Sequence, residues 1–262
     1  MKRSSLHTAL YAAAVLGATV VLTAAAVLPA QAAAPAADAV TVVLVHGAFA
    51  DGSSWNKVIP LLQAQGYKVV AVQNPLTSLA DDVVATQRVI DAQTGKVVLV
   101  GHSWGGSVIT QAGTSDKVKA LVYVAAFAPS EGEAAGALGK EYATPPGIAT
   151  LKADAAGFLW LPAESVAANF AQDLPKAETA LIAATQGPIQ AKAFGEPVTV
   201  AAWKTKPSYY IVSARDRMIA PQLEQSFAQK IGAATTTLQT SHVAMLSQPK
   251  AVADVIIAAA RR

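Results

Sequence analysis

The sequence predicts an α/β fold built on a mostly parallel sheet, and three observations predict it. Short runs of β-branched and apolar residues recur along the chain. They are nearly continuous rather than alternating, the pattern of strands covered on both faces. Helix-length segments separate them, so strand and helix alternate as parallel crossovers require.

Six strands are expected in order: VTVVLVH at 40–46, YKVVAV at 67–72, KVVLVGH at 96–102, KALVYVAAF at 119–127, SYYIVSA at 208–214 and a weaker ATTTLQT at 234–240. Between and after them, helices are expected at 55–65, 79–93, 105–112, 222–231 and 249–260. One stretch breaks the rhythm. Residues 130–205 are rich in Ala, Pro and Gly and too long for a simple crossover. A cap lying over the carboxyl ends of the strands would account for it, with helical pieces at 162–172 and 177–184.

The N-terminus is different in kind. Lys2 and Arg3 precede an apolar stretch and a small-residue run containing Ala30-Gln31-Ala32. This is the pattern of a secretory signal peptide, expected over residues 1–34 with its short linker, and it implies a secreted or periplasmic protein. An uncleaved anchor is the alternative, since an apolar run of about 20 residues can span a bilayer. A single domain is then expected over 35–262. The chain has 20 basic and 17 acidic residues; without the leader's two cations the balance is 18 to 17. No basic cluster of the kind that nucleic acid requires is present in the sequence. With no cysteine, an exported chain depends on its core rather than on disulfides. No metal or organic cofactor is implied, and no membrane partner once the leader is removed.

Gly101-His102-Ser103-Trp104-Gly105 fits G-x-S-x-G between an expected strand and an expected helix. That context puts Ser103 on a sharp turn at the carboxyl edge of the sheet, with its hydroxyl exposed for attack. The turn crowds the residues two before and two after the serine, and both are glycine. A serine hydroxyl also needs a base. Of four histidines, His7 lies in the leader, His102 adjoins Ser103 and should point away from it, and His46 buttresses a loop after the first strand. His242 remains, just after the last strand. Asp216, directly after the penultimate strand, is the acid that would hold its tautomer; Glu131 and Glu133 are the rivals. The oxyanion needs donors, expected from the backbone N–H of Trp104 and of Ala48 in HGAF, with Phe49 as the other choice for the second. Phe49, Trp104, Phe158, Leu159, Trp160 and Leu161 are expected to wall a pocket, although 158–161 could equally pack a cap onto the core.

Taken together, VLVHGAFADGSSWNKVIPLLQAQGYKVVAVQNP, GHSWGG, SARDRMIAP and SHVAML resemble the α/β-hydrolase superfamily, in the branch of small esterases related to plant methylesterases and hydroxynitrile lyases. The resemblance covers nearly all of the chain after the leader, the cap only loosely. It implies a six-stranded, mostly parallel sheet with a helical cap, Ser103, Asp216 and His242 as a triad, and Ala48 and Trp104 as the oxyanion hole. The related lyases carry a threonine and a lysine where this chain has Gly47 and Val243, so cyanohydrin cleavage is disfavoured. Dehalogenation, which needs an aspartate at the elbow, is disfavoured by Ser103. The expected function is a secreted serine carboxylesterase acting on small or medium hydrophobic esters. A lactonase, amidase or thioesterase shares the same chemistry, and a non-catalytic binder of small ligands shares the same fold.

Overall fold

The structure is a computed structural model that describes residues 40–262, so the expected leader lies outside the described residues. The chain runs through β1 (Thr41–Val45), a 3₁₀ turn (Gly52–Trp55), α1 (Ile59–Gln63), β2 (Lys68–Val72), α2 (Leu79–Asp91), β3 (Val97–His102), α3 (Gly105–Ala112) and β4 (Val118–Val124). After a long intervening stretch come β8 (Ser208–Ser213), α6 (Pro221–Lys230), β9 (Ala234–Leu238), α7 (Ala244–Ser247) and α8 (Pro249–Arg261). The stretch itself holds β5 (Lys152–Ala153), β6 (Phe158–Trp160), α4 (Ala163–Ser165), a π-helical turn (Val166–Phe170), α5 (Lys176–Thr185) and β7 (Ile189–Gln190).

Six strands form one sheet in the order β2-β1-β3-β4-β8-β9, and every neighbouring pair is parallel. β1, β3 and β8 are buried along their whole length, which is why they carry unbroken apolar runs. Burying one such Val or Leu side chain contributes about 1.5–3 kcal/mol. From β1 the chain steps outward to β2, then crosses back to β3 and proceeds the other way. The loops after β1 and β3 therefore leave the carboxyl edge side by side, with Val45 paired to Gly101. Such a reversal opens a crevice at that edge.

Local chemistry sets the element ends. Ser78 caps α2 by accepting the N–H of Asp81 at 3.0 Å, with Asp81 and Asp82 in the first turn and Arg88 in the last, as the helix dipole favours. The helix expected from residue 55 begins only at Ile59, because Pro60 is tolerated only in a first turn. β4 stops at Val124 rather than running to 127, because Ala125 takes a positive φ of 44°. The stretch expected to be helical also carries a three-stranded antiparallel sheet, β5-β6-β7, that the sequence pattern did not signal.

Candidate active site

β3 delivers Ser103 to the carboxyl edge, and α3 starts two residues later. Ser103 adopts φ 52°, in the left-handed region that an L residue occupies only under constraint. The constraint is visible. Its N–H donates to the carbonyl of Val124 at 3.2 Å, and its own carbonyl accepts the N–H of Phe127 at 3.1 Å. A Cβ on Gly101 would fall 2.6 Å from the carbonyl oxygen of Gly105, so a side chain cannot be fitted there. A Cβ on Gly47 would fall 2.7 Å from Cβ of Ser103, so the loop after β1 reaches the serine only because residue 47 has no side chain.

In that loop the two donors the sequence weighed differ in their partners. Phe49 donates its N–H to the carbonyl of Gly187 at 3.1 Å. The N–H groups of Ala48 and Trp104 take no protein acceptor among the described residues, and Ala48 and Ser103 line one cavity.

His242 and Asp216 meet at the same edge, both side chains essentially inaccessible. Nδ1 of His242 donates to Oδ2 of Asp216 at 2.5 Å, which leaves Nε2 as the other ring nitrogen. Oδ1 of Asp216 accepts the N–H groups of Met218 and Ile219 at 2.6 and 3.0 Å. Ser103 and His242 both face the cavity, though no hydrogen bond is closed between them, as is common without substrate. Behind His242 lie His102 and Phe170, with ring centroids 4.7 and 5.2 Å away. Phe170 comes from the π-helical turn, a rare element that recurs at functional sites. Asp173 ties down both flanks of His242, accepting the N–H of Ser241 at 2.7 Å and the hydroxyl of Ser247 at 2.8 Å.

The other described histidines have separate duties. His46 accepts the N–H of Asn74 on Nε2 and donates Nδ1–H to the carbonyl of Gly47, each at 2.9 Å, and burial lowers its pKa. His102 donates Nε2–H to the carbonyl of His242; complete burial, then the nearby His242, hold its pKa well below the usual imidazole value. Glu131 and Glu133 pair instead with Lys204 and Lys230 on the surface.

The cavity measures about 430 Å³. Phe49, Leu138, Tyr142, Leu159, Phe194 and Met218 give it mostly apolar walls around Ser103 and His242. Four expected wall residues are corrected, one of them Leu161, which is wholly buried and does not line the cavity. The Trp104 ring turns away from the cavity and is wholly buried, its Nε1–H donated to Oδ2 of Asp82 at 2.8 Å. Phe158 and Trp160 do not line the cavity either, while Leu159 between them does. Successive side chains of a strand point to opposite faces, so the register of β6 that turns Leu159 inward turns both aromatics outward. Trp160 is 40% exposed.

Two buried acids near the site were not singled out from the sequence. Asp82 on α2 and Glu224 on α6 are both fully buried. Each lies within the apolar stripe of its helix, beside Leu79 and Val83 or Leu223 and Phe227, and an acid in such a stripe is the signal that could have found them. Among the described residues no group of three or more His, Asp or Glu side chains is placed to hold a metal ion.

Comparison with known proteins gives the chain a family and relatives. A model of the alpha/beta hydrolase family matches residues 42–255. The chain is 29% identical over 241 residues to the probable hydrolase R7 of Phoma sp., across 82% of this chain and 96% of that one. It is 37% identical over 102 residues to salicylic acid-binding protein 2 of Nicotiana tabacum, a match covering 33% of this chain and 39% of the relative. A pyrethroid hydrolase from Sphingobium faniae superposes with a TM-score of 0.73 at 23% identity, across 85% of this chain and 98% of that one. At that identity the likeness is one of fold.

Proposed function

The chain belongs to the alpha/beta hydrolase family, and from that premise we propose that it is a serine carboxylesterase for small or medium hydrophobic esters. One observation carries the reading: Ser103, held at positive φ, shares an apolar cavity with a histidine whose far nitrogen is bonded to a buried aspartate. The signal-like N-terminus favours an exported enzyme.

In the proposed reaction Oγ of Ser103 attacks the ester carbonyl carbon as Nε2 of His242 takes its proton. Asp216 keeps the proton of Nδ1 in place and stabilises the imidazolium that results. The carbonyl oxygen becomes an oxyanion between the N–H groups of Ala48 and Trp104, where each donor is typically worth about 10²–10³ in rate. The C–O bond then breaks, His242 hands its proton to the leaving alcohol, and an acyl-serine remains. Water attacks that ester with His242 as base; the acid leaves and Ser103 recovers its proton.

The test uses the protein without its leader on p-nitrophenyl esters of graded length, with Ser103→Ala and Asp216→Asn beside the parent. Ester hydrolysis and fluorophosphonate labelling should both vanish in Ser103→Ala, and Asp216→Asn should lose about 10⁴ in kcat. A Ser103→Ala protein as fast as the parent sinks the mechanism. A parent that neither hydrolyses nor labels points to a binder on the same fold.

A further inference from the structure

Asp82 belongs to α2 and lies in the first turn of that helix, in its buried stripe. A buried carboxylate is costly unless its oxygens are occupied, and both of them are. Oδ2 accepts the indole N–H of Trp104 and Oδ1 the backbone N–H of Leu76, each at 2.8 Å. Burial still pushes its pKa up to about 6, with the two hydrogen bonds pulling the other way. The charges that face it, Asp81 on the same helix and Glu196 from the stretch after β7, push it up as well.

Its two partners matter by position. Trp104 directly follows Ser103 and offers a free N–H to the site. Its ring is held by Asp82 and packed against Phe194 at 5.2 Å between centroids, while the Ser103 carbonyl of the same peptide accepts the N–H of Phe127, so turning that peptide would strain buried contacts on both sides. Leu76 has φ 59°, a conformation a leucine holds only when its neighbours impose it. Its carbonyl accepts the N–H of Gln190 at 2.8 Å, and Gly187 on the same stretch accepts the N–H of Phe49, next to Ala48. A Cβ on Gly187 would lie 2.9 Å from Leu76 and 3.0 Å from Ala50, so these segments are in direct contact.

We propose that Asp82 is the positioning residue of the oxyanion hole, fixing the Trp104 donor through its indole and the Ala48 donor through Leu76 and residues 187–190. It touches no substrate. It sets the spacing of two backbone N–H groups that converge on one oxygen. The inference rests on reading the site as ester-cleaving.

The test compares Asp82→Ala, Asp82→Asn, Trp104→Phe and the Asp82→Ala/Trp104→Phe double variant with the parent. The readouts are p-nitrophenyl butyrate kinetics, inhibition by a trifluoromethyl ketone and by its methyl ketone counterpart, and fluorophosphonate labelling of Ser103. Asp82→Ala should lower kcat by about 10- to 100-fold with KM moved less than about threefold. Affinity for the trifluoromethyl ketone, whose hemiketal oxyanion needs the same donors, should fall by a similar factor while the methyl ketone is unaffected. Trp104→Phe keeps an aromatic ring and removes only the indole donor, so it should lose less. The double variant should be no worse than Asp82→Ala. Asp82→Asn, whose amide oxygen can serve only one of the two N–H groups, should fall between. A parental kcat in Asp82→Ala, a loss confined to KM, or additive losses overturn the proposal. If Asp82→Ala does not fold, parental kcat in both Asp82→Asn and Trp104→Phe overturns it. A parent that neither hydrolyses nor labels overturns the ester-cleaving reading and this proposal with it. An active, labelled parent whose variants match it overturns this proposal alone.

Discussion

His102 donates its Nε2–H to the backbone carbonyl of His242 across 2.9 Å. The residue before the elbow serine therefore holds the residue expected to take that serine's proton, through a bond between a strand end and a distant loop. His102→Phe would keep the ring packing against Trp55 and Phe170 but strand the carbonyl of His242 in the interior. An unmet buried acceptor costs about 1–3 kcal/mol. Thermal unfolding should show that loss, and ester hydrolysis should fall by about tenfold as His242 loses its anchor. An unchanged kcat would mean that Asp216 and Asp173 position His242 without help.

Glu224 makes stability depend on pH. One oxygen accepts the N–H of Ser213 at 2.8 Å, and the other is buried without a hydrogen-bond partner among the described residues. Burial, then the charge of Asp216, raise its pKa well above the usual 4.5. The folded protein therefore keeps a proton that the unfolded chain has released. Stability contributed by such a group is present below the unfolded pKa and declines as pH rises toward the folded one. Glu224→Gln removes the titration while retaining an acceptor for Ser213. Its Tm should draw ahead of the parent's as pH rises from about 5, at about 2–4 °C for each kcal/mol. A gap that stays flat or narrows contradicts this account.

The register of β6 separates neighbours by function. Leu159→Ala enlarges the cavity and should shift the ratio of kcat/KM between octanoyl and acetyl p-nitrophenyl esters by about 10-fold. Trp160→Ala, on the outward face, should leave that ratio within about twofold. Equal effects from both would mean that the strand does not present Leu159 alone.

Phe49 walls two spaces. It lines the cavity above Ser103 and a separate cleft of about 260 Å³ bounded by Lys57 and α5. Phe49→Ala should join them and favour bulkier esters over short ones, read as the same kcat/KM ratio. A loss of stability of up to about 3–5 kcal/mol should accompany the change. If short and bulky esters respond alike, Phe49 does not limit size.

Much of this was legible in the sequence because the signals are local. Unbroken apolar runs marked the buried strands, and the glycines around Ser103 marked a turn with no room for a side chain. The order of Ser103, Asp216 and His242 needed only the strand ends. Features set by long-range packing stayed hidden. β5 and β7 have two residues each, too few to show a period, so FLWL at 158–161 left pocket wall and cap packing equally open instead of showing one inward leucine. Trp104 looked like a wall residue because nothing beside it in sequence reveals Asp82 as its partner. Asp82 and Glu224 sit in first turns, where acids are ordinarily explained by the helix dipole.

Phe49, Leu76, Ser103 and Ala125 all hold positive φ, and each has its N–H or carbonyl bonded to residues distant in sequence. None of these shapes is one the local sequence would choose alone. Cut out as peptides, the four turns would relax toward ordinary backbone and carry no memory of the site. The candidate site is consequently a property of the assembled sheet edge, and it should vanish all at once, in step with the cooperative loss of the fold.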